Sequence, residues 1–235
     1  MSRERIRIRF TKTGDLRWIS HRDLARVWER LLRRAGLELA FSEGFHPKPK
    51  ISFPSALALG IEALDEIVEM DLVGPIDMTS VESRIAEQLP QGMELLSLEP
   101  ILPGTPKVVV LSMSYELPLA SADAERAAGR AAELQSSGKL TVDREGKTIE
   151  AAFSDKRFTI SCENDVLRFT LPLASHGSLR PIEVLEALGV ADVLTEGTIL
   201  KRTQVTLGRA DSDAVNAGAE EPAAAALIEQ EDQNI

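Results

Sequence analysis

Cysteine is nearly absent: the 235-residue chain holds one, Cys162. A lone thiol closes no internal disulfide, and it cannot supply the roughly four thiolates of an iron–sulfur cluster. Its segment, RFTISCEN, alternates, with Phe158, Ile160 and Cys162 on one face, so the thiol reads as strand core rather than as a nucleophile. Histidine is scarce too. His21, His46 and His176 stand far apart and none sits in an HExxH-type pattern, so no metal site is expected. Long apolar runs are missing: nothing approaches the ~20 residues that cross a bilayer. The first ten residues, MSRERIRIRF, are charged and alternating, without the apolar centre of a secretory signal. A cytoplasmic protein with no membrane partner and no cofactor is the expectation.

Charge, by contrast, is abundant and unevenly placed. The whole chain carries −10, yet residues 1–50 hold thirteen Lys/Arg against six Asp/Glu, a local +7. The remaining residues hold fourteen against thirty-one, or −17. A basic block on an acidic chain suggests a local anion site.

Hydrophobic periodicity divides the chain in two. Residues 5–10, RIRIRF, alternate, with Ile6, Ile8 and Phe10 turned to a core and Arg5, Arg7 and Arg9 turned away. Ser20 with Asp23 is a capping-box-like helix start. Leu24, Val27, Trp28, Leu31, Leu32 and Ala35 then make one apolar stripe, and Gly36 ends the helix. Leu37–Phe41 is a short strand candidate. Pro47, Pro49 and Pro54 make the following segment an extended loop. A strand over Val68–Leu72, a helix from Thr79 to the stop at Pro90 and a strand over Met93–Glu99 complete a βαββαβ unit. The stretch 100–106, PILPGTP, reads as a linker.

A second unit follows: a strand over Val108–Leu117, an alanine-rich helix over Ala122–Leu134, four short strands between Thr141 and Leu173, a helix opened by Pro181 and closed by Gly189, and a strand over Ile199–Leu207. The expected fold class is α+β. It comprises two tandem ferredoxin-like domains, 1–102 and 107–208, the second elaborated with extra strands. Residues 209–235 hold seven acidic residues and one arginine and read as a disordered acidic tail, with competition for the basic site as its expected role.

Three places could carry chemistry. The arginines of the first strand would lie beside Glu69 and Asp71, and cross-strand ion pairs explain them without a ligand. The loop bearing Lys12, Gly14 and Arg17, with His21 and Arg22 in the first helical turn, offers free N–H groups and positive charge to a phosphate. Arg26, Arg30, Arg33 and Arg34 continue along the polar side of that helix, where Glu29 could pair with Arg33. The third place is Gly44-Phe45-His46-Pro47-Lys48-Pro49-Lys50. Its prolines stiffen the loop, Lys48 and Lys50 project to one side, and Phe45 and His46 could stack on a base. The anion-site reading needs Lys12, Arg17 and the first helical turn to meet Lys48 and Lys50 in one positive concavity.

The run F-T-K-T-G-D-L-R-W-I-S-H-R-D-L over residues 10–24, followed by L-R-R-A-G, F-S-E-G-F-H-P-K-P-K and I-S-F, resembles the bacterial radical-SAM-linked proteins, a domain of unknown function. The similarity covers about residues 3–207 and is sharpest over 7–61. Members of that family are fused to, or encoded beside, a radical SAM protein, often near a ribonuclease of the E/G type. The resemblance therefore implies service to a radical SAM enzyme, in RNA or tRNA modification. The chain lacks CxxxCxxC, so the radical chemistry would belong to the partner. His46 stands where the family often has asparagine, which makes it a poor obligatory acid or base. Lys48 and Lys50 stand where arginine is common, which keeps the charge but weakens bidentate phosphate gripping.

Three functions are compatible with these residues. The leading one is a non-catalytic RNA-binding or substrate-presenting accessory protein, with Lys12, Arg17, His21, Arg22, Arg26, Phe45, His46, Lys48 and Lys50 at the nucleic acid. The second is a metal-independent endoribonuclease with His21 as general acid/base. The third is an adaptor that docks on the radical SAM partner without RNA.

Overall fold

The computed structural model describes residues 3–173 and 177–209. The expected acidic tail, from residue 210 on, and His176 lie outside the described residues. None of the described helices is long and apolar enough to cross a membrane.

The alternating N-terminus forms β1 (Arg3–Lys12), with Ile6, Ile8 and Phe10 fully buried. After a 3₁₀ turn over Gly14–Trp18 comes α1 (His21–Arg34). Ser20 caps it as its spacing predicts, the side-chain oxygen accepting from the Asp23 N–H at 3.1 Å. At the other end Gly36 takes φ +65°, and the Leu37 N–H reaches back to the Leu32 carbonyl. Leu24, Trp28, Leu31 and Leu32 bury the apolar stripe against β1.

β2 is a two-residue strand (Ile51–Ser52), and β3 (Glu62–Val73) is far longer than its apolar pattern suggests. α2 (Met78–Ala86) and β4 (Leu95–Ile101) follow. Pro100, expected in a linker, is part of β4. That strand ends the sheet, and a sheet edge tolerates a residue without an N–H. The second half runs β5 (Val108–Pro118), α3 (Ser121–Ser137), β6 (Lys139–Arg144), β7 (Lys147–Ala152), β8 (Thr159–Glu163), β9 (Val166–Pro172), α4 (Pro181–Leu188) and β10 (Lys201–Arg209). β6 and β7 form a separate hairpin, tied to α4 where the Arg144 guanidinium donates to Glu183 at 2.7 Å.

One mostly antiparallel sheet joins everything else, in the order β4-β1-β3-β10-β5-β9-β8, with β2 also on β3. The two halves meet where β10 runs parallel to β3, Lys201 opposite Glu62 and Arg202 opposite Ala63. Each half has its own apolar core, one around Trp28 and Phe10, the other around Phe158, Phe169 and Leu185.

The sheet face carrying Arg5, Arg7 and Arg9 is held by ion pairs, as the alternation suggests. Arg5 and Arg7 both donate to Glu69, and Arg7 also donates to Glu99 at 2.9 Å. Arg9 pairs with Asp65 at 2.6 Å, whereas Asp71 pairs with Lys50.

Candidate nucleic-acid interface

The basic residues of the first fifty positions separate into groups. Lys12, expected at a phosphate, is buried, with 2% of its surface exposed. Its ammonium nitrogen donates to the Ile19 carbonyl at 3.2 Å, inside the loop it was expected to decorate. Beside it lie Glu66 and Arg202, 1% and 0% exposed. Glu66 Oε2 is 2.7 Å from Arg202 Nη2, out of line with its N–H bonds, so that contact is an ion pair without a hydrogen bond. Arg202 Nη1 donates to Ser55 Oγ at 3.2 Å. Burial holds Lys12 below its ordinary pKa; Glu66 opposes that shift and Arg202 adds to it. Lys12 is therefore corrected from ligand contact to a member of a buried charge cluster that joins β1, β3 and β10.

Arg17 folds onto its own turn. Its guanidinium donates to the Gly14 carbonyl at 2.8 Å and lies 5.1 Å from the Trp18 ring centroid. Trp18 is 59% exposed, and its ring packs over Gly60. A Cβ on Gly60 would sit 3.0 Å from the ring, and the residue has φ +84°, so glycine is required there.

His21 is exposed and packs edge-to-face on Phe53, with ring centroids 4.6 Å apart. Arg22, Arg26, Arg30 and Arg33 are exposed and recur at helical spacing. At 100° per residue they fall within about 80° of one another, opposite the buried stripe. Arg26 pairs with Asp23 at 3.0 Å. Arg22, Arg30 and Arg33 have no ion pair among the described residues. Arg33 also lines an open groove of about 300 Å³ with Glu29, Leu37, Leu39 and Phe41.

Residues 41–49 form a hairpin-like excursion. Leu39 bridges to Leu72 and Ile51 pairs with Met70, so the chain touches the edge of β3, leaves it and returns. Phe41 bridges to Pro49, and the Ser42 N–H donates to the Lys48 carbonyl at 2.8 Å. The expected strand over Leu37–Phe41 is thus reduced to bridges, because this excursion interrupts its pairing. Gly44 takes φ +121° near the tip. Phe45 is completely exposed, His46 and Lys48 are exposed, and Lys50 is engaged by Asp71 at 3.4 Å.

The single concavity expected from the sequence does not form. Lys12 pairs with Ala63 on β3, while the Lys50 carbonyl accepts from the Asp71 N–H, eight residues further along that strand. At ~3.3 Å per residue the two levels lie about 26 Å apart. His21 falls between them, through its contact with Phe53. What does share one surface is the arginine row of α1. The Trp18 turn precedes it in the chain and the hairpin follows, its base meeting Arg33 through Leu39 and Phe41 while its Glu43 pairs with Arg3 of β1 at 3.5 Å. Trp18 was not among the expected site residues; a tryptophan between Arg17 and a polar helix start was the signal available.

Among solved structures, an unknown protein from Galdieria sulphuraria shares 11% identity, with 88% of this chain and 99% of that chain covered and a TM-score of 0.29. The small subunit of acetolactate synthase from Thermotoga maritima shares 11%, with coverage of 89% and 98% and a TM-score of 0.28. Overlaps this loose carry nothing to this chain. No curated protein matches. The sequence model of a family described as an uncharacterized protein conserved in bacteria, DUF2344, matches residues 5–181, and the chain belongs to that family.

Proposed function

We propose that this chain is a non-catalytic RNA-binding or substrate-presenting protein that serves a radical SAM enzyme in RNA modification. The observation that carries the RNA reading is the outward row of Arg22, Arg30 and Arg33, with Arg26 held by Asp23 between them, followed in the chain by a stiffened hairpin that exposes Phe45, His46 and Lys48. Phosphate binding needs unpaired, solvent-facing cations, and arginine suits it best. Lys12 leaves the proposed contact set, and Lys50 contributes less because Asp71 already engages it. The radical SAM partnership rests on the motif resemblance alone. The β-α-β-β-α-β order of the first half, and of the second once its inserted β6–β7 hairpin is set aside, with strand orders β4-β1-β3 and β10-β5-β9-β8, supports a reading as two ferredoxin-like units in tandem.

The test is binding of the purified chain to transfer RNA at several salt concentrations. With four phosphates engaged on a single strand, log K falls with log salt at a slope near −3, roughly 50-fold between 50 and 200 mM. Reversing Arg22, Arg30 and Arg33 to glutamate abolishes binding while leaving the fold intact. Salt-independent binding, or a charge-reversed variant that binds as well as the wild type, refutes the reading.

An adaptor role has one observation in its favour, the fully exposed apolar Phe45 at the hairpin tip. Co-purification with the radical SAM protein that survives nuclease treatment and is lost in Phe45→Ser would favour it. For a nuclease, His21 would need a second group to share the proton work. Among the hydrogen bonds, ion pairs and ring contacts of the described residues, it has the Phe53 ring alone.

A further inference from the structure

Two exposed aromatic side chains flank the arginine row along the chain. Trp18 precedes α1 by three residues and is 59% exposed, and Phe45 stands clear of the protein on the hairpin that follows the helix. Between them α1 runs 14 residues, about 21 Å. Arg22, Arg26 and Arg30 recur once per turn on its outer side, steps of ~6 Å. Lysines and arginines alone would bind any polyanion, paired or unpaired. Aromatic rings held open to solvent add something a duplex cannot use, because its base faces are already covered by their neighbours. Unpaired bases offer those faces, and each stacked base contributes without regard to sequence.

The Trp18 ring is anchored for such a task. Gly60 supports it from beneath, and the Gly60 N–H donates to the Arg17 carbonyl at 3.0 Å, clasping the turn to the 53–61 segment. Arg17 lies over the ring at 5.1 Å, so a base stacking on that face takes the place of the guanidinium, which swings aside to meet a phosphate. Trp28, the other tryptophan, is fully buried in the core of the same half.

We infer that the ligand of this surface is an unpaired RNA segment laid along α1, with bases stacked on Trp18 at one end and Phe45 at the other. The inference rests on the RNA reading above and narrows it to single strands. It makes Trp18 a binding residue and assigns the aromatic ends, rather than the arginines, the discrimination between unpaired and paired RNA.

The experiment titrates the full chain with a 12-nucleotide single-stranded RNA, a length inside the roughly 4–16 nucleotide range of single-strand sites, and with the same strand annealed to its complement. Because Trp28 is buried, quenching of tryptophan emission reports on Trp18. The single strand is expected to quench emission and to bind at least tenfold more tightly than the duplex. Trp18→Ala and Phe45→Ala should each weaken single-strand binding about 5- to 150-fold, the loss of one stacked base, and leave duplex binding unchanged. Trp18→Phe keeps a stacking ring and should retain most of the affinity, which separates stacking from damage to the turn. Equal affinity for both RNAs without quenching overturns the inference and leaves a phosphate-only site. Failure of both RNAs to bind removes the RNA reading itself, and this inference with it.

Discussion

Lys12 and Arg202 share a single carboxylate, Glu66, and all three residues are buried. Breaking a buried charge cluster by removing its only anion leaves two uncompensated cations. Glu66→Gln should therefore cost about 3–5 kcal/mol in urea unfolding. Lys12→Met removes the surplus cation and should be neutral or stabilising, the opposite sign at a site of equal burial. The pH dependence follows from the same residues. Lys12 has a folded-state pKa below its ordinary value of 10.5, so the unfolded chain holds that proton more tightly. Its contribution to stability therefore rises with pH, from the depressed folded value up to 10.5. Tyr115 acts in the other direction. Burial, the largest cause, pushes its hydroxyl from 10.0 up to about 12, so the folded state holds the proton longer and stability falls across that interval. Tyr115→Phe should remove that alkaline loss, measured as unfolding free energy against pH. The sequence shows Lys12 as a cation near a loop. It cannot show the burial, because the neighbour that completes the cluster comes 190 positions later.

The elements that the sequence reveals best are those whose signals are local. Both ends of α1 follow from Ser20, Asp23 and Gly36, and α4 follows from Pro181 and Gly189. β3 is the counterexample. It carries Glu62, Asp65, Glu66 and Glu69, all buried, where a periodicity argument finds apolar residues over 68–72 alone. Each meets a partner from another segment: Glu62 accepts from the Gly14 N–H, Asp65 from Arg9, and Glu69 from Arg5 and Arg7, while Arg202 lies against Glu66. A charged residue becomes strand core when its partner is supplied across the ladder, and one segment's pattern does not record its neighbours. The hairpin at 41–49 shows the converse, since its prolines signal a loop without revealing that the loop interrupts an edge strand. The Trp18 turn offers a test at this scale. Gly60→Ala puts a methyl against the indole at a residue with φ +84°, so a loss of about 1–3 kcal/mol and a shift in tryptophan emission are expected.

Across the whole molecule, the halves are coupled by the short parallel contact of β3 with β10 and by what surrounds it. Asp65 accepts from the Val205 N–H at 2.8 Å, and Arg9 donates to the Val205 carbonyl at 3.2 Å, next to the Glu66–Arg202 pair. Both tryptophans belong to the first half and the one tyrosine, Tyr115, to the second. Denaturation followed by tryptophan emission and by tyrosine absorbance should give coincident transitions; separate midpoints would show that the junction does not couple the halves. The β-α-β-β-α-β order of the first half, and the second half's longer order with four strands between its helices, were readable from periodicity and turns. The pairing that merges them into one sheet was not, since it rests on two residue pairs, a charge cluster and a small buried contact of Ile67, Val110 and Val205 from three distant strands.

The position of β10 has a consequence for synthesis. It lies in the interior of the sheet, between β3 and β5, yet every strand it touches leaves the ribosome before it does. Until it emerges, a nascent chain presents a bare flank along β5 and at the Glu62–Ala63 end of β3, and a frameshift or stop codon upstream of Lys201 would leave both permanently open to self-association.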